Sequence, residues 1–272
     1  MEENSARRKK ENLIRYLEGL DSLLVAFSGG VDSSFLLAVA YGVFGERVVA
    51  ATASSITFPK REHLEALKFT QDRGIEHIVF QSYEYHLPEF ISNGPDRCYH
   101  CKKALSQRLI TIAHERGIRE VAHAVNLDDL QDYRPGLKAA DEMGIIAPLV
   151  DAQLTKEEIR ILSKEMGLAA WDKPSMACLA SRIPYESPIT EQKLKMVDEA
   201  EECLVKKGFR QFRVRHHGDV ARIEVESDEI KRILDTDLRK QLSEEFRRIG
   251  FLHIAVDLDG YVSGNLNRAL NR

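Results

Sequence analysis

Leu23-Leu-Val-Ala-Phe-Ser-Gly-Gly-Val-Asp-Ser-Ser-Phe-Leu-Leu-Ala-Val-Ala-Tyr41 decides the fold. Leu23 to Phe27 is an apolar run of strand length, and Ser33 to Tyr41 is an apolar helical run. Between them, Ser28-Gly29-Gly30-Val31-Asp32-Ser33-Ser34 forms the turn from strand to helix. Paired glycines let backbone N–H groups approach an anion closely, and a helix N-terminus adds a positive dipole end. The hydroxyls of Ser28, Ser33 and Ser34 can donate to phosphate oxygens. Asp32 is the odd member, because a carboxylate repels phosphates unless a metal intervenes. It is therefore a candidate Mg²⁺ ligand. Neither G-x-x-x-x-G-K-[ST] nor G-x-G-x-x-G is present, which counts against P-loop and dinucleotide-binding readings. A tight strand-to-helix turn with no ligand would also use two glycines and a serine.

Outward from this loop, strand-like and helix-like segments alternate. Val48–Thr52, Ile78–Phe80, Val121–Val125 and Ile145–Ala147 read as further strands. Pro59 opens a helix that ends near Gly74, and Cys98–Arg116, Pro135–Met143 and Thr155–Met166 read as helices. The alternation predicts an α/β fold, a parallel sheet with helices on both faces, with the Ser28–Ser34 loop at its switch point. From Trp171 to Pro188 the sustained period is lost, and Pro174, Pro184 and Pro188 mark a long functional linker. A helix (Glu191–Lys207), two strands joined at His217-Gly218-Asp219, a helix (Asp228–Arg248) and a strand (Leu252–Asp257) follow. The expected organisation is an α/β domain over 1–172, a linker over 173–188 and a small α+β domain over 189–272.

The 272 residues suffice for a large and a small domain, and 43% apolar with 30% charged residues is ordinary for a globular protein. A net charge of −4 argues against generic nucleic-acid binding. The run Arg7-Arg8-Lys9-Lys10 beside Leu13, Ile14 and Leu17 reads as a solvated helix face. No apolar run approaches the roughly 20 residues of a membrane span, and no basic-then-apolar leader opens the chain. A cytoplasmic protein without membrane partners is expected, and its four cysteines are not a disulfide framework.

Those cysteines divide into two kinds. Cys203 shares an apolar helix face with Leu194, Val197, Ala200 and Leu204, which suits core packing. Cys98 and Cys101, in Arg97-Cys-Tyr-His-Cys-Lys102, fall one turn apart at a helix start that Asp96 can cap. Such a pair could belong to a zinc site, a redox couple or another metal centre. Cys178 stands in the irregular linker, in Ser175-Met-Ala-Cys-Leu-Ala-Ser-Arg182.

Ser28 to Ser33 meets in full the S-G-G-x-D-S fingerprint and so resembles the ATP pyrophosphatase (PP-loop) superfamily. That likeness implies cleavage of ATP between its α and β phosphates, with Thr52, Ala53 and Ser54 bordering adenine. Trp171-Asp-Lys-Pro-Ser-Met-Ala-Cys-Leu-Ala-Ser-Arg-Ile-Pro-Tyr185 narrows it to the LarE-type ATP-dependent sulfur transferases. Asp132-Tyr-Arg-Pro-Gly136 and Leu154-Thr-Lys-Glu-Glu-Ile-Arg160 fit the same family. The resemblance implies adenylation of a carboxylate of pyridinium-3,5-biscarboxylic acid mononucleotide and its conversion to a thiocarboxylate. That step belongs to synthesis of the nickel-pincer nucleotide of lactate racemase. It implies a homo-oligomer, a sulfide source as partner, and Asn126 at the nucleotide. Arg134 and Arg182 would contact substrate, and Arg213 and Arg215 its phosphate.

Two sulfur sources occur in this family. A lone cysteine at the Cys178 position can give up its own sulfur, or three cysteines can hold a [4Fe-4S] cluster whose fourth iron carries extra sulfide. Cys98, Cys101 and Cys178 supply the count for the cluster form. The family's usual Asp-Gly-Thr-Asn reads His123-Ala124-Val125-Asn126 here, and its Gly-Tyr-Arg-Ser-Gly reads Gly260-Tyr-Val-Ser-Gly264. Rival readings are a PP-loop tRNA thiolase, an amidotransferase-like ligase and an ATP-binding sensor without turnover.

Overall fold

A computed structural model describes residues 2–131 and 135–271. The chain divides into two compact units, Met1–Leu87 with Cys98–Met176, and Pro88–Arg97 with Ala177–Arg272.

The first unit holds β1 (Leu23–Ala26), β2 (Val48–Ser54), β3 (Glu76–Gln81) and β4 (Glu120–Ala122) in the parallel order β3-β2-β1-β4. Leu23 pairs with Val48 on one side and with Glu120 on the other. The strands alternate with helices α1 (Glu2–Glu18), α2 (Val31–Phe44), α3 (Lys60–Gln71), the short α4 (Pro88–Ile91, in the second unit) and α5 (Arg97–Glu115). After β4 come α6 (Pro135–Glu142), α7 (Pro148–Asp151) and α8 (Lys156–Glu165). Successive side chains of β1 point to opposite faces. Leu23, Val25 and Phe27 join a core with Leu13 and Leu17 of α1, Phe35 of α2 and Ile159 of α8. Leu24 joins a second core with Leu109 and Ile112 of α5 and Ala140 of α6. The sheet is thus buried on both faces, the architecture that the alternation predicts.

The expected strand at Ile145–Ala147 is reduced to one bridge, Ala122 to Ile146. Pro148 explains the stop, since it lacks the N–H a ladder needs and starts α7 directly after Ala147. Among the described residues no helix is long and apolar enough to cross a membrane.

In the second unit, β5 (Phe212–His217), β6 (Val220–Val225) and β7 (His253–Val256) form a sheet in that order. Against it lie α9 (Glu191–Lys206), α10 (Ile230–Ile233) and α11 (Thr236–Ile249), around Leu204, Val214, Ile223 and Phe246. The expected continuous helix from Asp228 is broken at Asp235, whose side chain accepts hydrogen bonds from Asp237 N and Leu238 N. A new N-cap there outweighs continuation. Asn93 ties Pro88–Arg97 to this unit, donating to the carbonyls of Pro184 (2.7 Å) and Ser187 (2.9 Å).

Candidate active site

The loop after β1 needs its glycine for two reasons. Gly29 has φ +71°, and a Cβ there would lie 3.2 Å from Ala66 Cβ of α3. Gly30 is the N-cap of α2, with no side-chain hydrogen bond closing the helix end. Ser33 Oγ donates to Gly30 O (3.2 Å) and lies 3.1 Å from Ser28 Oγ, so the serines brace the turn internally. Ser34 Oγ is buried without a hydrogen-bond partner. Val31 is buried beneath the loop.

This loop borders a cavity of about 310 Å³ at the carboxyl ends of β1, β2 and β4. Ser28, Gly30, Asp32, Ser33, Thr52 and Ala53 line it, joined by Lys102, His123 and Lys156. The position is the switch point of a sheet whose order reverses at β1, where nucleotides bind in open α/β folds. Thr52 is not free to contact a base through its hydroxyl. It donates to Phe27 O (2.7 Å) and meets His77 Nε2 at 2.7 Å. Ser54 uses its carbonyl to accept from Ser82 N (3.0 Å).

Asp32 is already engaged. Its carboxylate pairs with Lys156 Nζ and accepts from Asn126 Nδ2 (3.3 Å). Asn126 Oδ1 in turn accepts from Asp128 N (3.0 Å) and Asp129 N (3.2 Å), while Asp128 accepts from Lys156 N (2.7 Å). Asp128 therefore caps α8, and the capping box of Thr155 and Glu158 completes that helix start. The sequence reading gave Lys156 no role. Only the fold brings the first turn of α8 to the loop after β1.

Glu84 is a second residue that the sequence did not single out. Its buried carboxylate accepts from Thr57 Oγ1 (3.0 Å) and from the hydroxyls of Ser55 and Ser82. These bonds fix the turn that carries Phe58 into the cavity wall. His123 is held neutral, pushed down to about 3 by burial and then by the charge of Lys102. His77 is lowered to about 4, again chiefly by burial. Arg134 lies outside the described residues.

In the second unit, Arg182 is fully buried. Its Nε and Nη2 donate to Glu201 at 2.8 and 2.9 Å, and its Nη1 donates to the carbonyls of Ala177 (2.6 Å) and Cys178 (3.1 Å). The guanidinium thus sets the backbone that presents Cys178. Arg215 is similarly committed, bidentate to Glu224 (3.0 and 2.8 Å) and donating to Ser181 O at 2.9 Å. Arg213 lies beneath Tyr261, 5.0 Å from its ring centre, and is pushed down to about 10 by burial and then by Arg182. Arg182, Arg215, Arg222 and Arg268 line a cavity of about 570 Å³ together with Glu186, Asp257 and Asp259. Gly260, with φ +69°, could not carry a Cβ, which would stand 2.7 Å from Val225 O. Arg268 pairs with Asp259 at 3.0 Å.

None of the four cysteines is in a disulfide. Cys98 is exposed and Cys101 partly so, one turn apart in the first turns of α5. Cys178 is partly exposed and directly precedes a short 3₁₀ turn, Leu179–Arg182. Among the described residues, no group of three or more His, Cys, Asp or Glu is gathered to hold a metal. Cysteine thiolates are the soft ligands that iron–sulfur clusters take. Asp32 offers the hard oxygen that Mg²⁺ takes.

No protein-family model matches the chain. Among curated proteins, it is 42% identical over 264 residues to an uncharacterized protein of Synechocystis sp., covering 97% of this chain and 98% of the relative. It is 35% identical over 266 residues to the pyridinium-3,5-bisthiocarboxylic acid mononucleotide synthase of Lactiplantibacillus plantarum, covering 97% and 95%. An uncharacterized protein of Methanocaldococcus jannaschii is 27% identical over 248 residues, covering 89% and 91%.

Proposed function

Because the chain belongs to the family of pyridinium-3,5-bisthiocarboxylic acid mononucleotide synthase, the LarE-type sulfur transferases, we propose that it converts a pyridinium carboxylate to a thiocarboxylate at the expense of ATP. The observation that carries this reading is the cavity at the switch point, where a glycine-rich helix start, Asp32 and Lys156 converge. A helix N-terminus with open N–H groups receives phosphate. Asp32 would hold Mg²⁺, which would supply charge neutralisation for the phosphates. The Lys156 ammonium, now paired with Asp32, turns to the departing pyrophosphate.

In the first step a carboxylate oxygen of the substrate attacks the α-phosphorus in line. The α–β bridging bond breaks, giving an acyl-adenylate and pyrophosphate. Backbone N–H groups of the loop and Lys156 stabilise the charge that develops on the phosphate oxygens. In the second step hydrosulfide attacks the acyl carbon. AMP leaves with the bonding pair, and the proton is lost to give the thiocarboxylate. Were a [4Fe-4S] cluster bound, Cys98, Cys101 and Cys178 would be its thiolate ligands, and it would supply a binding place for that sulfide. Arg182 orients Cys178 through its backbone, and Arg213 and Arg215 border the site for the substrate phosphate.

The test is pyrophosphate release from ATP with pyridinium-3,5-biscarboxylic acid mononucleotide as acceptor. Release that depends on both compounds supports the reading. Release without the acceptor, or none with it, opposes the reading.

A further inference from the structure

Activation of a carboxylate by ATP brings two anions together, the attacking oxygen and the α-phosphate. A cation held for them must not already be neutralised by the protein. Lys156 is paired with Asp32, and Lys173, which also reaches Gly29 O, is paired with Glu62 (2.7 Å) and Glu65. Lys102 differs. It lines the same cavity, yet among the described residues it has neither a hydrogen bond nor a carboxylate partner. Its stem is fitted closely under α6, since a Cβ on Gly136 would come within 3.3 Å of Lys102 Cβ.

Beside Lys102 stands His123, 6% exposed, with Nδ1 buried and unpartnered. A buried nitrogen left without a partner is costly unless a ligand or water fills the place. A carboxylate at this position would neutralise Lys102 from within the protein. A neutral imidazole leaves the ammonium uncompensated and adds one more polar atom facing the cavity.

We propose that Lys102 and His123 form a seat for an oxyanion in the nucleotide cavity, filled by the carboxylate to be activated or by the α-phosphate. The proposal rests on the reading of the cavity as an adenylation site and names the groups that hold its reacting anion. His123 sets the vacancy by being uncharged, and Lys102 provides the countercharge.

The experiment measures the affinities of AMP and adenosine by calorimetry, and the KM of the pyridinium dicarboxylate in pyrophosphate release, for wild type, K102Q, H123D and H123N. A charge-assisted contact predicts that K102Q and H123D lose about tenfold or more in one of the anionic ligands. Adenosine affinity and melting temperature stay near wild type, and H123N, equal in charge to the native residue, keeps most of the binding. Weakened AMP binding assigns the seat to the phosphate. Unchanged AMP binding with a raised KM assigns it to the carboxylate. AMP affinity and KM both within about twofold of wild type in K102Q overturn the proposal, as do equal losses in H123N and H123D. If wild type releases no pyrophosphate, the adenylation reading fails, while the AMP comparison still decides whether the anion seat exists.

Discussion

Arg182 and Glu201 face each other with both side chains fully buried, joined by two hydrogen bonds of 2.8 and 2.9 Å. Burial opposes both charges, yet the guanidinium holds the Glu201 carboxyl below its usual range. Glu201 also accepts from Val214 N (3.0 Å), so the pair links α9, β5 and the backbone at Cys178. Removing one partner of a buried pair leaves the other uncompensated, at a cost of about 3–5 kcal/mol. E201Q and R182M should therefore each lower denaturant-derived stability by that order. Loss of less than about 1 kcal/mol in both variants would show that the pair is not what fixes this segment.

Gly29 predicts a two-part penalty. Its left-handed φ costs an alanine about 1–2 kcal/mol, and the 3.2 Å approach of Ala66 Cβ adds a steric conflict. G29A should weaken ATP binding and lower the melting temperature. The double variant G29A/A66G relieves only the conflict, so it should recover part of the loss. Full recovery would mean that backbone conformation does not matter there.

Lys156 should separate binding from chemistry. If its ammonium moves from Asp32 to the leaving pyrophosphate, K156Q loses a contact made in the transition state. The kcat for pyrophosphate release should fall by about 10²–10³ while ATP affinity changes much less. Equal loss in both quantities would reduce Lys156 to a structural partner of Asp32.

Acid should loosen the first unit in a defined window. His77 is half-buried and neutral, with its proton affinity lowered from the ordinary 6.5 to about 4 by burial and then by His63. The unfolded chain therefore binds the proton first. Stability is fully present above pH 6.5 and is lost as pH falls towards about 4. H77Q keeps a donor for Thr52 but cannot titrate, so it should flatten melting temperature against pH in that range. An unchanged slope would assign the acid sensitivity to other groups, such as His123 at about 3.

The sequence displayed its local features more readily than its convergences. The turn from Leu23 to Tyr41 was legible because strand, glycines and helix are contiguous, and the alternation beyond it implied the parallel sheet. The pairing of Arg215 with Glu224 was open to reading as well, since the two residues occupy adjoining strands. Ile145–Ala147 misled because an apolar run reports burial and Pro148 limits the pairing. Lys102, His123 and Lys156 meet only because α5, the segment after β4, and α8 end at one edge of the sheet. Nothing in their spacing encodes that meeting.

ATP-driven entry of sulfur from outside the polypeptide into a pyridinium carboxylate is the step on which this function depends. Its most direct test is anaerobic protein with bound iron and sulfide quantified, incubated with ATP, pyridinium-3,5-biscarboxylic acid mononucleotide and hydrosulfide, with the masses of product and intact protein both read. The account predicts AMP and pyrophosphate in step with a product in which sulfur replaces one carboxylate oxygen, and an unchanged protein mass. A protein lighter by one H₂S at Cys178 after turnover, or no sulfur in the product, would contradict it.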